Sequence, residues 1–109
     1  MAADVGHARV PTVARPVAIE WSLDALADLD RFAAFLYEQF PELAARVASE
    51  LIARAEVLSR HPRLGRPIAN REEYREVVLQ ALNGTYLLQY RYEGDAILML
   101  RVFHAREAR

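Results

Sequence analysis

Residues 22–62, SLDALADLDRFAAFLYEQFPELAARVASELIARAEVLSRHP, decide the fold. From Ala25 onward Leu26, Leu29, Ala33, Leu36, Tyr37 and Phe40 recur at the spacing of one helical face, with Asp28, Arg31 and Glu38 largely off it. Ser22 is placed to cap this helix, and Asp24 lies in the first turn, where the helix dipole favours a negative charge. Pro41 cannot continue the helix but suits the opening turn of another. A second stripe follows, Leu43, Val47, Leu51, Ile52, Ala55 and Leu58, flanked by Glu42, Arg46, Glu50, Arg54 and Glu56. It should stop near His61, because Pro62 disfavours a helical residue before it. Two amphipathic helices on so short a link predict an antiparallel hairpin.

The flanks read as strands. Ahead of the hairpin, Val17, Ile19 and Trp21 alternate with Ala18, Glu20 and Ser22, the period of a half-buried strand. Behind it comes a turn-rich stretch, RLGRPIANREEY, and then a short β-rich run from Arg75 to Leu79. Asn83-Gly84 supplies a turn. Thr85 to Tyr92 alternates, with Tyr86, Leu88, Tyr90 and Tyr92 on one side, and Glu93-Gly94-Asp95 closes a hairpin. Ala96 to His104 is nearly apolar throughout and predicts a central strand covered on both faces. The expected fold is α+β in the order β-α-α-β-β-β: an N-terminal strand, a two-helix antiparallel hairpin and a three-stranded antiparallel sheet. Residues 1–16, with two prolines and no periodicity, read as a flexible leader before one domain spanning 17–109.

Composition narrows the function classes. A chain of 109 residues has room for one domain. No cysteine is present, which excludes thiol catalysis and disulfides and fits a cytoplasmic protein. The three histidines are scattered over leader, helix end and strand end, so no metal or other cofactor is expected. No apolar run approaches the ~20 residues of a membrane helix, and no membrane association is expected. All fourteen basic residues are arginine, so any anion this protein grips is gripped by planar guanidinium groups. Charge is unevenly spread, at −4 over residues 17–62 and +2 over residues 63–109. That mild polarity does not demand a nucleic-acid partner.

With its elements in this order, the chain resembles the RelE/ParE superfamily, the toxins of type II toxin–antitoxin modules, over about residues 17–106. IEWSLDALADLDRFAAFL resembles the family's opening strand and helix, and PELAARVASEL its proline-led second helix. LSRHPRLGRP is similar to the family's leucine–x–x–x–proline–x–x–glycine–arginine junction. YREVVL resembles the strand carrying the family's arginine, YLLQYRYEGDAILML the central hairpin, and RVFHAREAR the closing strand and tail. The resemblance implies a ParD-like antitoxin that wraps the helical hairpin and sheet and makes the pair's DNA contacts. It also implies one of two targets. RelE-like members are ribosome-dependent mRNA endoribonucleases; ParE-like members poison DNA gyrase without a recognised catalytic constellation. A net charge of −1, the absence of lysine and a chain end reading HAREAR without a tyrosine favour the ParE-like branch. The alternatives are the RelE-like nuclease and a non-toxic peptide-binding module of the same fold.

Six residues are candidates for a target- or antitoxin-binding surface: Arg66, Arg75, Tyr90, Arg91, His104 and Arg106. Five of them, without Tyr90, would form the active site of a nuclease. Arg66, beside Gly65, either meets a phosphate or acidic partner or locks its own loop. Arg75 either binds a partner or pairs with Glu72, Glu73 or Glu76. Tyr90 and Arg91 must point to opposite faces, and Tyr90 belongs with the core aromatics. Histidine suits either proton transfer in RNA cleavage, which makes His104 the acid–base candidate; the bland alternative is an imidazole bonded to backbone.

Overall fold

The computed structural model describes residues 15–82 and 84–107. The leader up to residue 14, Asn83 of the expected turn and residues 108–109 lie outside the described residues. The elements are β1 (Ala18–Trp21), α1 (Leu23–Tyr37), α2 (Pro41–Ala55), α3 (Val57–Arg60), β2 (Arg66–Ile68), β3 (Arg71–Ala81), β4 (Gly84–Glu93) and β5 (Ala96–His104). The five strands form one sheet in the order β1-β5-β4-β3-β2, with α1 against β5 and α2 against β3. The fold class is therefore α+β, as the pattern of elements predicts. No helix among the described residues is long and apolar enough to cross a membrane.

Ser22 caps α1 as expected, accepting the Ala25 N–H at 3.0 Å, while its hydroxyl donates to the Leu100 carbonyl at 3.0 Å. The buried face of α1 shares Leu29 and Leu36 with the expected stripe, with Ala33 packed at its margin, but is rotated away from the rest of it. Ala25, Asp28, Leu29, Phe32 and Leu36 are buried, whereas Leu26, Tyr37 and Phe40 are 41%, 67% and 51% exposed. Two stripes of similar apolar content compete on this helix, and the one that wins contains a carboxylate. Counting only apolar residues at helical spacing cannot find it. α2 buries Ala44, Val47, Leu51 and Ala55, and α3 continues the stripe with Leu58, leaving Ile52 at its margin.

Two features of the sheet differ from expectation. β1 is not a separate element: it pairs parallel with β5, Ile19 opposite Ile97 and Trp21 opposite Met99. β2 lies within the stretch whose sequence is turn-rich, and β3 begins at Arg71 rather than Arg75. The link between β2 and β3 is a two-residue turn, since Ile68 pairs with Arg71 and both Ala69 (φ 51°) and Asn70 (φ 62°) are left-handed. That is the geometry of a type I′ hairpin, whose usual signal is a glycine that this turn lacks. Ala69→Gly is expected to be neutral or stabilising by about 0.5 kcal/mol, and Ala69→Val to cost about 1–2 kcal/mol, in urea denaturation.

Cross-strand register assigns the faces. Tyr86, Leu88 and Tyr90 of β4 point to the helices with Val77 of β3 and Ile97, Met99 and Val102 of β5, all buried. The spacing 97, 99, 102 needs an extra residue. A bulge supplies it, with Tyr90 opposite Met99 but Gln89 opposite Arg101. Leu100 is thus skipped, Val102 turns inward and Arg101 outward. β5 is an inner strand, but its outer side chains Leu98 and Phe103 are only half-buried. Its apolar run reflects the bulge rather than a second covering layer.

Candidate functional site

The junction between α3 and β2 is held by Tyr90 and Arg75. The Tyr90 hydroxyl donates to the Pro62 carbonyl at 2.7 Å and accepts the Gly65 N–H at 2.9 Å. Burial pushes the Tyr90 phenol up from its ordinary value, against the smaller opposing effects of the Gly65 N–H and the Arg75 charge. Arg75 lies opposite Tyr90 on the helix-facing side of the sheet and is 5% exposed. Its guanidinium donates to the carbonyls of Glu72 at 2.9 Å, Gly65 at 2.8 Å and Arg63 at 3.3 Å, and pairs with the Glu72 carboxylate. Gly65 is required by close approach: a Cβ there would stand 2.8 Å from the Glu76 carbonyl oxygen and 2.9 Å from the Tyr90 hydroxyl. Of the six candidates, these two are buried and occupied in holding the loop.

The other four sit apart. Arg66 pairs with Glu76, which places it on the outer face. There Arg66, Pro67, Ile68, Asn70, Glu76 and Gln89 line a shallow groove. Gln89 donates to the Glu76 carboxylate at 3.0 Å, and the exposed Arg66 guanidinium has no hydrogen bond or ion pair among the described residues. Arg91, also outward, is paired with Glu93. His104 lies on the inner side of β5 opposite Tyr86, its ring edge-on to that tyrosine with centroids 5.0 Å apart. His104 Nδ1 accepts the Arg106 N–H at 3.1 Å, and the Arg106 side chain is exposed in the turn that follows. Arg66 and His104 are separated by the three strand spacings from β2 to β5, roughly 14 Å across the sheet, and also along it, since Arg66 shares its row with Arg101 rather than with His104. The candidates therefore do not gather around one point: Arg75 and His104 face inward, Arg66 and Arg91 outward.

The outer face is chemically mixed. One cross-strand row carries Arg66, Glu76, Gln89 and Arg101, and the next carries Val78, Leu87 and Phe103. Val78 is 55% exposed. Guanidinium groups alternate with carboxylates and apolar side chains, a surface suited to a protein partner rather than to a polyanion.

Sequence reasoning missed Asp28, which among the described residues makes as many side-chain hydrogen bonds as Arg75. Asp28 is 2% exposed and sits where β1 has ended and the edge of β5 is uncovered. It accepts the Val102 N–H at 2.7 Å, Arg101 Nε at 2.8 Å, Arg101 Nη2 at 3.0 Å and Arg31 Nη1 at 2.7 Å. Burial alone would raise its carboxyl, but the bonds from Arg101, the Val102 N–H and Arg31 outweigh it and hold Asp28 below the usual aspartate range. The signal in the sequence was an acid at i−1 of Leu29 and i+3 of Ala25, on a helix whose other acids are exposed; nothing in the spacing distinguishes it. A depressed folded-state value stabilises the native state above the ordinary aspartate pKa of about 3.9 and ceases to as pH falls through the lowered value. The stability difference between wild type and Asp28→Asn should therefore be full at pH 7 and shrink progressively below pH 4 in urea titrations. A difference constant down to pH 2.5 would contradict the ionised network.

Comparison with known proteins accords with this geometry. The family model described as the ParE toxin of the type II toxin–antitoxin system parDE matches residues 19–109. The chain is 34% identical to Y4kP of Sinorhizobium fredii, over 82% of this chain and 88% of that protein. It is 32% identical to Toxin RelE3 of Caulobacter vibrioides, over 84% of this chain and 97% of that one. Among solved structures, the chromosomal ParDE system of P. aeruginosa is similar in fold, with a TM-score of 0.66 at 22% identity, covering 81% of this chain and 95% of that one. The RelBE2 toxin–antitoxin complex of Mycobacterium tuberculosis gives a TM-score of 0.57 at 25% identity, covering 88% of this chain and 99% of that one. A helical hairpin packed on one face of the sheet, a family-model match over residues 19–109 and relatives 34% and 32% identical over more than four-fifths of the chain make this protein a member of the RelE/ParE superfamily of type II toxin–antitoxin toxins.

Proposed function

We propose that this toxin is ParE-like: it acts in the cytoplasm by binding DNA gyrase and is neutralised by a cognate ParD-like antitoxin, through which the pair contacts DNA. The observation that carries the reading is the dispersal of the cationic candidates. Cleaving RNA by attack of a 2′-hydroxyl on the adjacent phosphorus, with departure of the 5′-oxygen, needs a base for the hydroxyl proton, an acid for the leaving oxygen and phosphate-binding cations within a few ångströms of one atom. Here Arg75 is buried under the Pro62–Gly65 loop, Arg91 is neutralised by Glu93, and Arg66 and His104 stand on opposite faces. The half-apolar outer face and the exposed Arg66 and Arg106 fit a protein target, and the exposed Leu23, Phe35, Tyr37 and Phe40 of the hairpin fit an antitoxin that covers them. No residue is assigned a bond-breaking role.

The second reading is a RelE-like endoribonuclease, favoured by the name of the Caulobacter relative and by the adjacency of His104 and Arg106. Induced expression without an antitoxin separates the two. Filamentation with an SOS response is expected; rapid arrest of translation with cut mRNA would overturn the gyrase reading. Continued normal growth would leave only the non-toxic binding module.

A further inference from the structure

The turn after β5 is fastened to α1 through two carboxylates and one guanidinium. β1 stops at Trp21, opposite Met99, so the edge of β5 beyond it has no neighbouring strand. The Val102 N–H on this edge is accepted by Asp28 at 2.7 Å, and the His104 N–H by Glu107 at 2.8 Å. The two carboxylates replace the carbonyls of the missing strand. Arg31 bridges them, with Nη1 2.7 Å from Asp28 Oδ1 and Nη2 3.0 Å and 2.9 Å from the two Glu107 oxygens. The backbone of the turn is bonded throughout: the Ala105 N–H donates to the Thr85 carbonyl at 2.8 Å, the Glu107 N–H to the His104 carbonyl at 2.9 Å, and the Arg106 N–H to His104 Nδ1 at 3.1 Å. The Arg106 side chain has no partner among the described residues.

We infer that Arg31, anchored on buried Asp28, is a positioning residue that holds the 104–107 turn so that Arg106 is presented to the target. The inference rests on the proposed reading that the end of β5 belongs to the target-binding surface. Arg31 is 42% exposed and Asp28 keeps its bonds from Arg101 and the Val102 N–H without it, so a purely stabilising role for Arg31 predicts a modest drop in thermal midpoint and a toxicity that only follows that drop. A positioning role predicts a large functional effect. The planar fork of arginine reaches both carboxylates, whereas a lysine ammonium offers a single point of charge and restores only part of the hold.

The full-length chain is expressed from a titratable promoter, and Arg31→Met, Arg31→Lys, Glu107→Gln and Arg106→Ala are compared by the expression level needed to arrest growth. Thermal midpoint and amide hydrogen exchange of the purified chains are measured alongside. Arg31→Met is expected to need at least tenfold more protein, close to Arg106→Ala, with Arg31→Lys and Glu107→Gln between it and wild type. Exchange of the His104 amide should accelerate at least tenfold in Arg31→Met while that of Val102, still held by Asp28, stays slow. Arg31→Met as toxic as wild type while Arg106→Ala is inactive would overturn the positioning role and leave the target surface intact. Full toxicity of Arg106→Ala, or no arrest by the wild type, would remove the target reading and this inference with it.

Discussion

Arg75→Met will lower the unfolding free energy by about 3 kcal/mol in urea denaturation, because it strips a buried guanidinium from three carbonyls while keeping most of its apolar stem. Buried acceptors left unpaired cost roughly 1–3 kcal/mol each, and the Gly65, Arg63 and Glu72 carbonyls all lose their donor. Glu72 adds little to the loss, since its side chain is exposed and can be rehydrated. Tyr90→Phe tests the same clamp from the other side, removing the acceptor of the Gly65 N–H and the donor to Pro62 for about 2 kcal/mol. If instead Arg75→Met unfolds like wild type but loses toxicity, Arg75 is a ligand of the target or antitoxin and the clamp is of minor weight.

Asp28→Ala should cost about 3–5 kcal/mol at pH 7. A buried carboxylate there neutralises Arg101 and Arg31 and accepts the Val102 N–H; removal leaves a backbone donor and part of a guanidinium pair without acceptors. Arg101 is half-exposed and regains some hydration, which sets the lower end of that range. Asp28→Glu does not rescue it, because an added methylene at a site packed between α1 and β5 displaces the carboxylate from the Val102 N–H. A loss below 1 kcal/mol would mean that the network is a surface ornament and that the edge of β5 is held by packing alone.

Helix α2 and strand β4 were legible because each is written in apolar periodicity: Val47, Leu51 and Ala55 on α2, and Tyr86, Leu88 and Tyr90 on β4, are buried as their spacing predicts. What stayed hidden was written in polar side chains and backbone. The true face of α1 turns on Asp28, the parity of β5 on the skipped Leu100, and β2 on an Ala69-Asn70 turn without glycine. The candidate site was legible only as a set of residue types. Arginine in a strand reads the same whether it faces a partner or, like Arg75, reaches beneath a loop to its carbonyls. Register settles which, and register is fixed by long-range pairing that no local spacing encodes.

The central claim is that this fold displays a docking surface and not a convergent phosphate-cleaving cluster. A supercoiling and cleavage assay with purified gyrase, run beside a translation-dependent mRNA cleavage assay on the same toxin preparation, tests it most directly. The account predicts loss of supercoiling with accumulation of cleaved DNA and intact mRNA. Site-specific mRNA cuts on translating ribosomes with unimpaired gyrase would contradict it.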